Sequence, residues 1–107
     1  MKRKLKDNVL LSLDELKAVD PIAINVKELT SFTDYMVVAS GTSNRHVTAL
    51  SEKVIEDLKK INNRDLRIEG SPGDEWLLVD AGEVIVHLMS SEARSFYDLE
   101  SLWDSDL

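Results

Sequence analysis

Residues 74–89 constrain the fold of this chain more than any other segment, because they predict two short strands joined by a tight turn. We place the turn at Ala81-Gly82, since glycine readily adopts the positive φ that a two-residue hairpin turn requires. Asp80 then pairs with Glu83, and further along the strands Trp76 pairs with His87. Directly paired residues point to the same side of a sheet, so this register predicts the two faces of the hairpin.

The two predicted faces differ in chemistry. One carries only aliphatic side chains and is expected to lie in the core; this aliphatic face comprises Leu77, Val79, Val84, Val86 and Leu88. The other combines large apolar groups with acids; this mixed face comprises Trp76, Leu78, Asp80, Glu83, Ile85, His87 and Met89. It is too apolar for a solvent face and too acidic for a core, which suits a docking surface for a basic partner. A register change of one residue would exchange the faces.

The charge of the chain is unevenly distributed. The net charge is −7, and residues 74–107 contain nine of the 20 acidic residues but only one of the 13 basic ones, Arg94. Phosphates would be repelled by this third of the chain, so we expect little or no direct binding of nucleic acid. A basic protein would be attracted to it, although an acidic surface also serves solubility alone.

The composition predicts a cytoplasmic protein that folds as a single domain over residues 1–107. There is no cysteine, and no long apolar segment follows the four basic residues among the first six. We therefore expect neither a disulfide framework, nor a signal peptide, nor contact with a membrane.

The hydrophobic pattern predicts an α/β fold, in which one mixed sheet of about five strands is packed by helices. Apolar residues recur with helical spacing in two segments, at Leu5, Val9, Leu13 and Leu16, and at Val47, Leu50, Val54, Leu58 and Ile61. We expect helices over 2–17 and 44–61, the first ending at Asp20-Pro21 and the second at Asn62-Asn63. Ser12 and Glu15 match a capping box that could start a separate helix, but one helix is preferred.

Strands are expected over 22–26, 34–39 and 66–69, in addition to the hairpin. The second is continuously apolar after Asp34 and is predicted to be buried on both faces. The helix after it would form a crossover between parallel strands. Residues 91–103 are expected to form short helical turns, which point Phe96, Leu99 and either Leu102 or Trp103 inward.

The segment from Ser40 to Arg45 lies between a strand and a helix, and such a turn can hold a phosphate. It lacks a P-loop lysine and a G-x-G-x-x-G pattern, so capping of the helix by Ser43 or Asn44 is favoured. His46 and His87 match no metal-ligand spacing. Asp80 and Glu83 are more typical of a solvated hairpin tip, where Asp80 binds turn amides, than of a catalytic pair. We expect no catalysis, no cofactor and no bound metal.

Four segments together resemble the bacterial ribosomal silencing factors, also called the Iojap-related family. They are residues 34–45 (DYMVVASGTSNR), Glu69-Gly70, residues 76–87 (WLLVDAGEVIVH) and residues 94–103 (RSFYDLESLW). The similarity runs from the first helix to Trp103. The family usually has Asp-Tyr-Gly-Asp at the hairpin turn, whereas this chain has Asp80-Ala81-Gly82-Glu83, without the aromatic ring.

The resemblance implies a nucleotidyltransferase-like fold without catalysis. It also implies binding to ribosomal protein uL14 of the large subunit, which blocks joining of the two subunits and represses translation under nutrient limitation. Family members also form homodimers when free. We expect the contact to be formed by six residues of the mixed face, with Arg94 and Tyr97 supporting it or serving the structure alone: Trp76, Leu78, Asp80, Glu83, Ile85 and His87.

Two other functions stay open from the sequence. One is a minimal nucleotidyltransferase-like enzyme that uses the turn from Gly41 to Arg45, against which the missing pair of aspartates argues. The other is a homodimeric adaptor whose mixed face is buried against a second copy.

Overall fold

The secondary structure follows the predicted order of helix, two strands, helix, three strands and a helical C-terminus. The computed structural model of the chain describes residues 4–61 and 65–103. Its elements are α1 (Leu5–Glu15), β1 (Val19–Asn25), β2 (Tyr35–Gly41), α2 (Asn44–Lys60), β3 (Arg67–Glu69), β4 (Trp76–Asp80), β5 (Val84–Ser90), α3 (Ser91–Tyr97) and α4 (Leu99–Trp103). The predicted end of the long helix at Asn62-Asn63 lies outside the described residues.

All five strands form one mixed sheet in the order β1-β2-β5-β4-β3, which confirms the predicted fold class. Only β2 and β5 pair in parallel; the other three neighbouring pairs are antiparallel. β2 lies inside the sheet and is buried along nearly its whole length, as its continuous apolar run predicts. β2 and β3 run in the same direction, as expected for a crossover, but β5 and β4 lie between them.

The two long helices cover the aliphatic side of the sheet. Their apolar stripes are buried as predicted in a core shared with the strands; the helical members are Leu5, Val9, Leu13, Val47, Leu50, Val54 and Leu58. Leu16 and Ile61, the last residues of the two apolar patterns, are exposed. Each follows the last residue of its helix as the C-cap, where the chain leaves helical geometry and the stripe no longer continues.

A polar contact also joins α1 to α2. The Ser12 hydroxyl donates to the Asp57 carboxylate at 2.7 Å, and the Lys53 ammonium lies 2.8 Å from the Glu15 carboxylate. Ser12 lies within a single helix, which confirms the preferred prediction over a second helix starting there.

The first strand begins earlier than predicted, at Val19 rather than Ile22, and includes Pro21. β1 is an edge strand, where proline is tolerated because its missing N–H can face away from the ladder. The register also shifts between Val19 and Ile22, and Asp20 takes a positive φ of 45°. The helix before it ends at Glu15, so Asp20-Pro21 marks this irregularity instead of the helix end.

None of the helices in the described ranges has both the length and the apolar character to cross a membrane.

Replacing Val86 with alanine should lower the free energy of unfolding by about 1–3 kcal/mol. Val86 is fully buried on β5, and shortening it leaves a cavity beneath the helices. Urea unfolding measures the change. Ile68→Ala is the control, because Ile68 is 54% exposed on the short edge strand β3; a loss there as large as at Val86 would contradict the assignment of the core.

Candidate functional site

The hairpin register differs from the predicted one by two residues. Cα pairing joins Trp76 to Met89, Leu78 to His87 and Asp80 to Ile85. The Ala81 N–H donates to the Val84 carbonyl at 2.9 Å, which leaves Gly82 and Glu83 as the two turn residues. The predicted turn at Ala81-Gly82, and with it the pairing of Asp80 with Glu83, is therefore wrong. Gly82 does take a positive φ, 82°, but as the first turn residue, a position that also favours glycine.

The predicted faces survive this correction, because a shift of two residues returns each side chain to the same side of the sheet. The five residues of the aliphatic face are all buried in the core beneath α1 and α2. The mixed face lies on the opposite side of the sheet.

The mixed face continues across the neighbouring strands. Cα pairing carries one row from Met36 through Ile85 and Asp80 to Arg67, and the next row from Val38 through His87 and Leu78 to Glu69. This side has a smaller core, which contains Met36, Val38, Met89 and Ala93. The short helices α3 and α4 cover only part of it. Leu78 and Ile85 are half-buried and Glu83 is exposed, so apolar and acidic groups remain accessible together.

Aromatic rings meet at the end of the mixed face where α3 packs. The Trp76 indole Nε1 donates to His87 Nδ1 at 3.0 Å, and its ring centroid lies 4.7 Å from that of Tyr97. Tyr97 in turn makes an edge contact with Phe96 at 5.0 Å. The structure therefore brings Trp76, His87 and Tyr97 together, although Trp76 and His87 are diagonal neighbours rather than the directly paired residues predicted.

One residue of the C-terminal helices that was predicted to point inward points outward, since Phe96 is 80% exposed. Leu99 packs against the smaller core as predicted, and of the two alternatives Trp103 packs there whereas Leu102 is 74% exposed. Helices of seven and five residues are too short for spacing to identify a buried stripe. In the sequence, the exposed position of Phe96 beside the mixed face is indicated only by its neighbour Tyr97. That indication depends on the contact of Tyr97 with Trp76, which the structure shows.

Arg94 lies on α3 and joins four elements. Its Nη1 donates to the Val19 carbonyl at 3.0 Å and to the Ser40 hydroxyl at 3.2 Å, and its Nε donates to the Glu100 carboxylate at 3.2 Å. These contacts hold α3 and α4 against β1 and β2. Of the two supporting residues predicted, Arg94 makes structural contacts and Tyr97 lies in the aromatic cluster; support of a partner contact by either stays a prediction.

The acidic tip of the hairpin is held by its backbone. The Asp80 carboxylate accepts from the Gly82 N–H at 2.9 Å, as predicted. The Glu83 carbonyl accepts from the N–H groups of Asp34 and Tyr35, each at 3.0 Å, which fixes the tip beside the start of β2. Ala81 is buried on the aliphatic side. The aromatic ring that this chain lacks at position 81 would therefore lie away from the mixed face.

The turn after β2 is used to start α2, which confirms the capping prediction. The Ser43 hydroxyl accepts from the His46 N–H at 3.0 Å. A Cβ added at Gly41 would lie 2.8 Å from the Val47 nitrogen, so α2 approaches the strand too closely for any other residue there. His46 Nδ1 accepts from the Thr42 N–H at 2.9 Å, and its Nε2 lies 2.8 Å from the Leu16 carbonyl.

No three His, Asp or Glu side chains among residues 4–61 and 65–103 lie close enough to hold a metal ion.

A sheet with one face covered by two long helices and one apolar, acidic and partly open face defines an α/β domain. Comparison with known proteins identifies the family. Residues 2–107 match the model of the family described as "Ribosomal silencing factor during starvation". This chain belongs to the ribosomal silencing factor family.

Relatives and a solved structure agree with this assignment. The ribosomal silencing factor of Zymomonas mobilis is 44% identical over 92 residues, which cover 86% of this chain and 69% of that protein. A mouse protein named mitochondrial assembly of ribosomal large subunit protein 1 is 38% identical over 91% of this chain and 44% of its own length. A crystal structure of a Chromobacterium violaceum protein superimposes with a TM-score of 0.88 at 40% identity, covering 92% of this chain and 82% of that one.

Titration of His87 should make stability depend on pH between about 6.5 and 4. Burial lowers the pKa of His87 from 6.5 to about 4. The unfolded chain therefore binds a proton at a pH where the folded one does not, so the free energy of unfolding falls as the pH drops through this window, by up to about 3 kcal/mol. Urea unfolding at pH 7 and pH 4.5 measures the change.

The matched variant for this prediction is His87→Gln, which keeps an acceptor for the Trp76 indole but cannot titrate. We expect it to lose most of the pH dependence between pH 7 and pH 4.5. An unchanged dependence in the variant would mean that other groups cause it.

Proposed function

We propose that this protein binds ribosomal protein uL14 through its mixed face and sterically blocks the joining of the small subunit to the large one. Membership of the ribosomal silencing factor family supports a ribosomal target. The name of the mouse relative refers to the large subunit, which supports that subunit as the site of binding. As a repressor of translation, the protein would act in the cytoplasm, where bacterial ribosomes work.

The observation that carries the proposal is the incomplete cover of the mixed face. α1 and α2 bury the other side of the sheet, but here the half-buried side chains of Trp76, Leu78 and Ile85 remain accessible beside the exposed Glu83. A half-buried tryptophan surrounded by apolar side chains is a common centre of a protein interface, and charged groups belong at its rim. Asp80 and Glu83 occupy this rim position at the hairpin tip.

Charge supports a basic partner. Residues 74–107, which include the whole hairpin, α3 and α4, contain nine acidic residues and one basic residue. That basic residue, Arg94, lies 3.2 Å from Glu100 and so contributes no free positive charge to the surface. A ribosomal protein rich in lysine and arginine would be steered towards this side and held in register on it.

Steric blocking of subunit joining requires a bound protein of sufficient size but no catalysis. The described part of the chain measures 35 × 33 × 21 Å, which is thick enough to hold two facing surfaces apart. The turn from Gly41 to Arg45 is used to cap α2, and this supports a function without catalysis over a nucleotidyltransferase-like one.

Homodimerisation is a second proposal, supported by one observation. Phe96 and Leu102 are large apolar side chains that are mostly exposed to solvent beside the partly covered mixed face. A second copy can cover them in the free protein. Such a dimer would compete with ribosome binding, because it occupies the same side of the sheet.

The protein should sediment with large subunits and not with small ones. Added in excess to separated subunits, it should reduce the fraction that joins into whole ribosomes, because the bound protein occupies the space between them. Sucrose-gradient profiles measure both effects. Unreduced joining at a concentration that saturates the large subunit would refute the steric mechanism.

Trp76→Ala should weaken binding to uL14 by about 2 kcal/mol or more, because a tryptophan at the centre of an interface is typically a hot spot. Val86→Ala is the matched control from the other face, and at temperatures where it is folded it should bind normally. Calorimetric titration with purified uL14, together with the unfolding curve of each variant, separates the two effects. Normal binding by folded Trp76→Ala would place the contact elsewhere.

Charge reversal at the tip tests the rim of the same interface. Glu83→Lys and Asp80→Lys should lower the association rate for uL14 and flatten its dependence on salt, since they oppose a basic partner. Glu83→Lys is the cleaner variant, because Asp80 also caps the turn. The control is Glu52→Lys, an exposed acid on α2; equal effects from both faces would indicate that only net charge matters.

A further inference from the structure

We infer that Lys4, Lys6 and Lys27 form a patch that contacts the phosphate backbone of RNA on the large subunit, next to the protein contact. The location rests on the proposed function, whereas the patch itself is a feature of the fold. The three ammonium groups converge on one ring: their nitrogens lie 5.9, 5.2 and 5.6 Å from the centroid of Tyr35.

All three ammonium groups lie within cation–π range of the ring, but their like charges repel one another. The lysines come from separate parts of the chain: Lys4 is the N-cap of α1, Lys6 lies in the first turn of that helix, and Lys27 follows β1. The fold therefore places three like charges together, an arrangement that an anion would stabilise.

Two of the three charges are available to an anion. Lys6 forms an ion pair with Asp7 at 3.2 Å. Lys4 and Lys27 are exposed, and neither forms an ion pair with another described residue. Asp34 and Glu83 line the same depression, but neither forms an ion pair with the lysines. In the sequence, two more basic residues, Lys2 and Arg3, directly precede Lys4.

The lysine patch adjoins the acidic tip. The N–H of Tyr35, whose ring the lysines surround, donates to the Glu83 carbonyl at 3.0 Å. When a partner binds to the mixed face and its rim, the molecules next to that partner come close to the lysines. Ribosomal proteins are set in RNA, so the groups that come close would be RNA phosphates. The negative charge of the whole chain still disfavours RNA as the main target, which makes this a local contact that adds to the protein interface.

The test compares two targets, the whole large subunit and purified uL14 without RNA. The test variant is the double substitution Lys4→Gln with Lys27→Gln, which removes the two unpaired ammonium groups. The control is Lys17→Gln with Lys59→Gln, which makes the same change in net charge at exposed lysines on other parts of the surface. Affinity is measured for each protein and target over a series of salt concentrations.

We expect the test variant to bind the large subunit more weakly, with the slope of log K against log salt reduced by about 2, or about one per lost phosphate contact. Its affinity for free uL14 should equal that of the unchanged protein, and the control variant should behave normally on both targets. Trp76→Ala, in contrast, should lose affinity for both.

Three results would overturn the inference. The test variant could bind the large subunit with unchanged affinity and slope. It could lose affinity equally for free uL14, which would mean that the lysines contact protein. The control could show the same loss, which would mean that net charge alone is responsible. If the unchanged protein binds neither target, the proposed function itself fails, which is a different outcome from a failure of the lysine variant alone.

Discussion

The pairing of β2 with β5 is the contact on which the rest of this structure depends. It is the only parallel pair among the strands of residues 4–61 and 65–103, and it joins the first half of the chain to the C-terminal hairpin. Both strands are buried over most of their length, so most of their side chains pack in one of the two cores. The helices that follow the two strands leave to opposite faces, α2 to the aliphatic side and α3 to the other. This pair therefore decides which elements cover each face of the sheet.

Unequal cover of the two faces produces the candidate site. A helix of 17 residues and one of 11 shield the aliphatic side, whereas two short helices shield the mixed side. The short helices bury Met89 and hold Tyr97 against Trp76, but they leave Leu78 and Ile85 partly accessible. Arg94 holds these helices in place through the Val19 carbonyl, Ser40 and Glu100. The partly open surface is thus a consequence of helix length, and its shape depends on the part-buried polar contacts of Arg94.

Opposite charges meet at one edge of the molecule. The hairpin tip carries Asp80 and Glu83, and the start of β2 beside it is surrounded by the three lysines. A partner surface with charge of a single sign would be attracted by one of these surfaces and repelled by the other. A surface made of basic protein set in RNA matches both, which is why the proposed protein contact and the inferred RNA contact are compatible despite the net charge of −7.

The sequence by itself determined the elements and the sides of the sheet. Helical spacing in α2, the continuous apolar run in β2 and alternation in the hairpin all predicted structure correctly, because each depends on local periodicity. The division into aliphatic and mixed faces tolerated a register error of two residues, since side chains alternate with a period of two. Segment similarity across the chain identified the family, which no single element could do.

Only the tertiary structure decided which residues meet. The hairpin register depends on whether Gly82 is the first or second turn residue, and both positions favour glycine. Phe96 is exposed and His87 buried because of how α3 packs, which the spacing of so short a helix does not specify. The convergence of Lys4, Lys6 and Lys27 on Tyr35 brings together residues from α1, the segment after β1 and the start of β2. Contacts between residues far apart in the chain depend on packing, and local sequence patterns contain no information about it.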